Sequence, residues 1–146
     1  MKSIIEIREE HLKKCAELYA RVFNAEPWND KWSTETAFRR LLDIYNSPSF
    51  VGILYFKEEE IKGAIFGNCE QWYEGFHFNL KEMFVSNELQ GMGMGRELLK
   101  SLEEKLRVMQ VGTIILFTSK GNLTSEFYIK NGFKELGFMA MMDKNI

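Results

Sequence analysis

A chain of 146 residues, 45% apolar and 14% aromatic, is long enough for one domain (residues 1–146) and rich enough to bury a core. Its net charge of −2, with both signs interspersed among 27% charged residues, gives no global field for nucleic acid or an anionic membrane, so neither is expected as a partner. The opening residues lack the basic start, apolar centre and cleavage site of a secretory signal, and no apolar run reaches membrane-spanning length; the expected location is cytoplasmic. Cys15, Cys69, His11 and His77 show no metal-ligand spacing, so no metal is expected and the two thiols read as buried structural residues.

Ile4 to Arg8 is a strand candidate, after which Leu12, Cys15, Leu18, Tyr19 and Val22 recur at helical spacing. NAEPWNDKW, Asn24 to Trp32, breaks that pattern, and Ser33 is an N-cap candidate for a second helix ending near Asn46-Ser47-Pro48. FVGILYF (Phe50 to Phe56) and IKGAIFGN (Ile61 to Asn68) read as a hairpin, and Phe76 to Val85 as a third strand beyond QWYEG. A helix carrying Leu98, Leu102, Leu106 and Met109 on one face follows and is expected to end at Gly112. TIILFTS, Thr113 to Ser119, has the continuous apolar character of a strand in a sheet centre, and a short helix around Ser125 to Lys130 precedes a last strand, Phe133 to about Met142. The order βααβββαβαβ, with a strand-helix-strand crossover, predicts a single α/β domain with a mixed sheet.

Between the third strand and the long helix lies QGMGMGR, Gln90 to Arg96. A dinucleotide-binding loop needs G-x-G-x-x-G, but this run is G-x-G-x-G with Arg96 in the last glycine's place; a mononucleotide loop needs a Lys followed by Ser or Thr, and none follows. What remains is a glycine turn opening a helix, where unpaired N–H groups and the positive end of the helix dipole favour an anion. Arg96 in the first turn makes more sense beside a bound anion. Taken alone, the glycines are equally consistent with a tight turn and close helix packing.

The surrounding residues carry more information. Gln90-Gly91-Met92-Gly93-Met94-Gly95 resembles the acetyl-CoA motif Q/R-x-x-G-x-G/A of the GNAT superfamily of N-acetyltransferases. Downstream, NLTSEFYIKNGF (Asn122 to Phe133) resembles that family's N-x-x-A-x-x-FY-x-K-x-GF segment, with Ser125 in the position of the usual Ala. The resemblance is strong from about Leu80 to Phe133 and follows the element order before that. It implies a mostly antiparallel central sheet flanked by helices, with a splayed pair of strands.

It also implies acetyl-CoA as cofactor, its diphosphate held by the backbone of Gln90, Gly91, Met92, Gly93, Met94, Gly95 and Arg96. The pantetheine arm would lie strand-like beside Met83, Phe84 and Val85, and Asn122 and Ser125 would contact that arm or, in the case of Asn122, cap the short helix. Tyr128 would protonate the departing CoA sulfur; its phenol lies about 1.5 units above a thiol in reference pKa, as an acid for that step should. Direct attack needs an uncharged amine, a donor for the developing oxyanion and that proton. The base is read from strand parity: the even positions Phe76, Phe78, Leu80, Glu82 and Phe84 share one face of a regular strand, so Glu82 stands on an apolar face where burial favours its neutral form. A bulge would undo that parity. Glu82 as base, Glu82 as a loop-orienting residue, and a water relay are all open.

Trp28, Asn29, Asp30 and Trp32 form an aromatic and acidic cluster, and QWYEG adds Trp72, Tyr73 and Glu74; with Glu82, these suit a cationic amine, though tryptophans also serve as packing anchors. The expected activity is acetyl transfer to a primary amine of a small molecule. A protein N-terminus or lysine as acceptor, and a CoA-binding module without turnover, are the alternatives. A homodimer is expected from the family alone.

Overall fold

The structure, a computed structural model, describes residues 2–146. It divides into two compact units, one ending at Leu116 and the other comprising Phe117–Ile146.

In the first unit, β1 (Lys2–Glu6), β2 (Phe50–Lys57), β3 (Glu60–Trp72) and β4 (Gly75–Val85) are antiparallel neighbours, and β5 (Val111–Ile115) pairs with β4 in parallel. The helices are α1 (Leu12–Asn24), α2 (Thr34–Tyr45) and α3 (Met94–Val108). Leu12, Cys15, Leu18, Tyr19 and Val22 bury one stripe of α1; α2 starts where Ser33 Oγ accepts the Thr36 N–H at 3.0 Å, a cap contributing about 1 kcal/mol. Both helices pack their apolar sides on one sheet face with Leu54, Ala64, Phe66 and Phe84. The other face carries α3, whose Leu98 meets the sheet at Gly63. Cys15 and Cys69 are buried and unpaired, and burial pushes the Cys15 thiol up to about 12.

Four expectations need correction. The first strand stops at Glu6 rather than Arg8, because Arg8 turns the chain: its N–H donates to His11 Nδ1 at 2.9 Å. Helix α3 ends at Val108, and the left-handed residue closing it is Gln110 (φ 62°) rather than Gly112. The TIILFTS strand runs Val111–Ile115 and ends the sheet order β1-β2-β3-β4-β5 instead of occupying its centre; only Val111 is buried, because within this unit the strand has a partner on one side alone. The closing strand is absent from Phe133–Met142: Met139 N–H donates to Leu136 O at 3.1 Å, folding a turn across Gly137 where a strand would need an extended ladder.

The second unit contains α4 (Leu123–Lys130). Asn122 Oδ1 accepts the Ser125 N–H at 3.0 Å, while Ser125 Oγ accepts the Asn122 N–H at 3.2 Å. This reciprocal cap explains how so short a helix starts.

The most consequential local feature is in β4. Phe66 faces Glu82 and Gly67 faces Leu80, so Lys81 is an extra residue with no partner of its own. Such a bulge turns the strand's side-chain alternation over. Phe66 and Gly67 are adjacent in β3 and lie on opposite faces, so their partners do too. Leu80 therefore sits on the α3 face with Phe78, whereas Glu82 and Phe84 sit on the α1–α2 face; the even positions do not share one face as regular parity predicts. The close approach near this point leaves no room at Gly67, where a Cβ would overlap the Asn79 carbonyl and the Phe78 ring. Gly67→Ala should lower stability by about 2 kcal/mol, read as a lower urea midpoint at unchanged slope; an unchanged midpoint would contradict this packing.

Candidate active site

The bulge and the β4–β5 ladder end almost together. β5 accompanies β4 from Phe76 only to Asn79, so beyond Lys81 the strand continues to Val85 without β5 alongside. The β4–β5 ladder therefore ends before Phe84 and Val85, which have no β5 residue paired with them. At the end of β4, Ser86 N–H donates to Lys62 O at 2.7 Å, and a 3-10 turn, Asn87–Leu89, leads into the glycine loop.

That loop is tied at its start. Gln90 Nε2 donates to Val85 O at 3.1 Å, so its side chain anchors the loop to the end of β4. Lys62 Nζ bridges Glu60 at 3.0 Å and Glu88 at 2.8 Å, and together with the Ser86 hydroxyl it holds the Glu88 carboxyl down at about 2. Gly91 (φ 81°) and Gly93 (φ 84°) adopt left-handed conformations that a side chain disfavours, and nothing beyond the adjoining residues lies within 4 Å of the position a Cβ would take at either. Gly93 is the N-cap of α3; the first bond back into the helix is Glu97 N–H to Gly93 O at 3.1 Å, so the amides of Met94, Gly95 and Arg96 precede it. Open glycine backbone ahead of first-turn amides fits a diphosphate. Met92 is exposed and leaves the approach clear.

On the α1–α2 face, Glu82 is nearly enclosed, its side chain 15% exposed. Its Oε2 accepts two hydrogen bonds, from Tyr19 Oη at 2.8 Å and from Arg40 Nε at 2.9 Å. Burial pushes the Glu82 carboxyl above its ordinary range; Tyr19 and Arg40 oppose that shift, and the nearby charge of Asp30 adds to it. Burial, with the Glu82 charge behind it, pushes the Tyr19 phenol up, so Tyr19 is a firm hydrogen-bond donor. Tyr19 and Arg40 were invisible as site residues in the sequence, where Tyr19 reads as part of an apolar helix stripe. The one available signal was a phenol placed on that stripe, which needs a buried polar partner.

Trp32 packs edge-on against Tyr19 at 5.0 Å and donates through Nε1 to Asp30 Oδ2 at 3.0 Å, while Asn24 holds the Trp32 backbone with bonds of 2.7 and 2.8 Å. Trp28 packs on Phe23 at 5.0 Å, and Phe23 in turn on Tyr19 at 4.7 Å. Trp28, Asp30 and Trp32 are thus linked to Glu82 through Tyr19. Trp72 and Tyr73 are not brought there. They sit at the β3–β4 hairpin tip, 53% and 87% exposed, with Trp72 stacked on His77. Gly75 at that tip and Glu82 are seven residues apart, about 23 Å along a strand.

In the second unit, Tyr128 is buried, edge-on to Phe127 and to Phe133 at 5.3 Å each. Asn122 Oδ1 and Ser125 Oγ are both engaged in the α4 cap, so of the two roles open to Asn122 the structure shows the helix cap.

A raised Glu82 pKa has a consequence for stability. Between 4.5 and its higher folded value, the folded chain holds a proton at Glu82 that the unfolded chain has released, so this group's contribution falls as pH rises through that window. The stability difference between the natural chain and Glu82→Gln, from urea unfolding, should therefore shift against the natural chain from about pH 4.5 upward; a difference that moves the other way would contradict the dominance of burial.

Residues 10–133 match the family model for the acetyltransferase (GNAT) family, a span that takes in β4, the glycine loop and the Tyr128 helix. No curated protein matches the chain. Among solved structures it is similar to a transcriptional regulator from Bacillus halodurans C-125, with 17% identity, complete coverage of both chains and a TM-score of 0.78. It is also similar to the aminoglycoside N-acetyltransferase AAC(6')-Iy in complex with CoA (14% identity, 100% and 96% coverage, TM-score 0.77). A third similar structure is the aminoglycoside acetyltransferase meta-AAC0020, from an uncultured soil metagenomic sample, in complex with sisomicin (16% identity, 99% and 96% coverage, TM-score 0.75). The fold is shared with these structures, and the family match over most of its length makes the chain a member of the GNAT acetyltransferase family, acetyl-CoA-dependent N-acetyltransferases.

Proposed function

We propose that this chain transfers the acetyl group of acetyl-CoA to a primary amine of a small molecule. The observation that carries the reading is Glu82: a carboxylate on an aromatic face, within reach of the Asp30 charge and bonded to the Tyr19 that packs on Trp32, three residues past the last β4–β5 pair. Two of the similar structures are aminoglycoside acetyltransferases, which supports an acceptor that is small and polycationic. The family match runs through the boundary at Leu116, which supports residues 1–146 acting as one acetyltransferase domain.

Acetyl-CoA supplies the activated thioester. Gly91 and Gly93, with the amides of Met94, Gly95 and Arg96, bind its diphosphate, and the Met83–Val85 edge of β4 aligns the pantetheine arm. Asp30 attracts the acceptor's ammonium, and the Trp28 and Trp32 rings favour it through their π faces. Glu82 removes the proton that keeps the amine from attacking; its raised pKa brings it closer to the amine's own than an exposed carboxylate would be. Tyr128 gives a proton to the leaving sulfur, an assignment resting on the family motif around it. Asn122 and Ser125 hold the helix that carries Tyr128.

The direct test is a panel of aminoglycosides, polyamines, amino acids and peptides incubated with acetyl-CoA, with free thiol release as the readout. Turnover confined to small amines is expected; turnover on peptides alone would move the acceptor class, and tight CoA binding without turnover would leave a binding module. Tyr128→Phe should lower kcat by roughly a hundredfold while CoA affinity holds within about twofold; unchanged kcat would remove Tyr128 as the acid. Gly93→Val, which forces a β-branched residue to φ 84°, should weaken CoA at least about tenfold; retained affinity would remove the loop from the cofactor site.

A further inference from the structure

We infer that Tyr19 and Arg40 are positioning residues for acetyl transfer: from two different helices they hold one oxygen of Glu82, Oε2, and leave Oε1 to take the acceptor's proton. The inference rests on the reading of Glu82 as base.

Three elements meet at a single atom. Tyr19 comes from α1, Arg40 from α2, and Glu82 from β4 just past the bulge; the two donors lie 2.8 and 2.9 Å from the same Oε2, while Oε1 receives no hydrogen bond among the described residues. A carboxylate pinned by two donors on one oxygen cannot spin about its last bond, so the lone pairs of Oε1 point in a fixed direction. The donors are themselves fixed. The Tyr19 ring is wedged among Phe23 at 4.7 Å, Trp32 at 5.0 Å and Phe84 at 5.3 Å, so its hydroxyl has little freedom. Arg40 bonds Glu82 through Nε, to Oε2 and not to Oε1, from a side chain that is 40% exposed. An Arg serving only to neutralise a buried carboxylate would gain more from the two-pronged grip that covers both oxygens.

The charged and titratable groups facing Glu82 are Tyr19 on α1, Arg40 on α2 and Asp30 on the α1–α2 loop; Phe66 across the ladder on β3 is apolar. Asp30 and burial favour the protonated carboxyl, and Tyr19 and Arg40 favour the ionised one. The two donors therefore keep a buried carboxylate able to accept. In the step itself an acceptor N–H bond breaks, the proton passes to Oε1, and the nitrogen keeps the electron pair with which it attacks the thioester. A purely structural Arg40–Glu82 pair joining α2 to β4 would shift the carboxyl's pKa as well, but its loss would leave kcat unchanged.

The test uses the full chain with glutamate labelled at the side-chain carboxyl carbon, assigned through Glu82→Gln, and titrates Glu82 by NMR alongside the pH profile of kcat/KM. Arg40→Gln should raise the Glu82 midpoint by about one unit and move the acidic limb of kcat/KM by the same amount. Tyr19→Phe, which keeps the ring packing, should give a smaller shift in the same direction together with a fall in kcat of about tenfold at nearly constant KM. Arg40→Lys should restore part of the midpoint but little of the kcat, because an ammonium supplies charge without the guanidinium's fixed direction. An unmoved Glu82 midpoint in both Arg40→Gln and Tyr19→Phe would overturn the inference, and so would a moved midpoint with kcat and the acidic limb of kcat/KM unchanged. Should Glu82→Gln keep full turnover, the base reading fails by itself, whereas the NMR midpoints report on Tyr19 and Arg40 independently of turnover.

Discussion

Lys81 has no partner across the ladder, and the arrangement of the site depends on that one unpaired residue. With Phe66 opposite Glu82 and Gly67 opposite Leu80, the strand turns over between Leu80 and Glu82. Before the bulge, Phe78 and Leu80 build the core beneath α3, and Phe76 to Asn79 bond to β5. After it, Glu82 and Phe84 face α1 and α2, and β5 is no longer alongside. The inserted residue thus delivers a carboxylate to the opposite helices, close to where the β4–β5 ladder ends.

What Glu82 meets on that face follows from packing. Tyr19, Phe23, Trp32, Phe66 and Phe84 surround the position with rings, which removes water and disfavours a bare charge. The polar groups present are few and aimed: a phenol, a guanidinium nitrogen and, one step away, the Asp30 carboxylate that is itself held by the Trp32 indole. The glycine loop that follows β4 has the opposite character, with backbone rather than side chains on offer, as suits a ligand recognised by its phosphates.

Elements set by local patterns are legible in the amino-acid sequence alone. The α1 stripe, the Ser33 cap, the β2–β3 hairpin and the glycine turn all depend on residues within a few positions of one another, and the motifs around Gln90 and Phe127-Tyr128 point to the cofactor. Features that depend on partners distant in the chain are not legible in this way. Strand parity puts Glu82 on an apolar face together with Leu80; the face is apolar, but it is the other face, because the bulge depends on pairing with β3. Arg40 meets Glu82 across 42 residues and Tyr19 across 63, separations that carry no periodic signal. TIILFTS resembles a central strand because its run is apolar, yet exposure depends on what lies beside it. Trp72 and Tyr73 have the right composition for an amine site and stand at the wrong end of a long hairpin.

The idea that β4 beyond the bulge takes a strand-like ligand is tested most directly by backbone hydrogen exchange with and without CoA. Added CoA should slow exchange in β4 beyond the bulge, at Phe84 and Val85, and at the first-turn amides Met94 to Arg96. Phe76 to Asn79, already bonded to β5, should be unaffected. Protection spread evenly over β4, or confined to the β3–β4 hairpin tip, would contradict it.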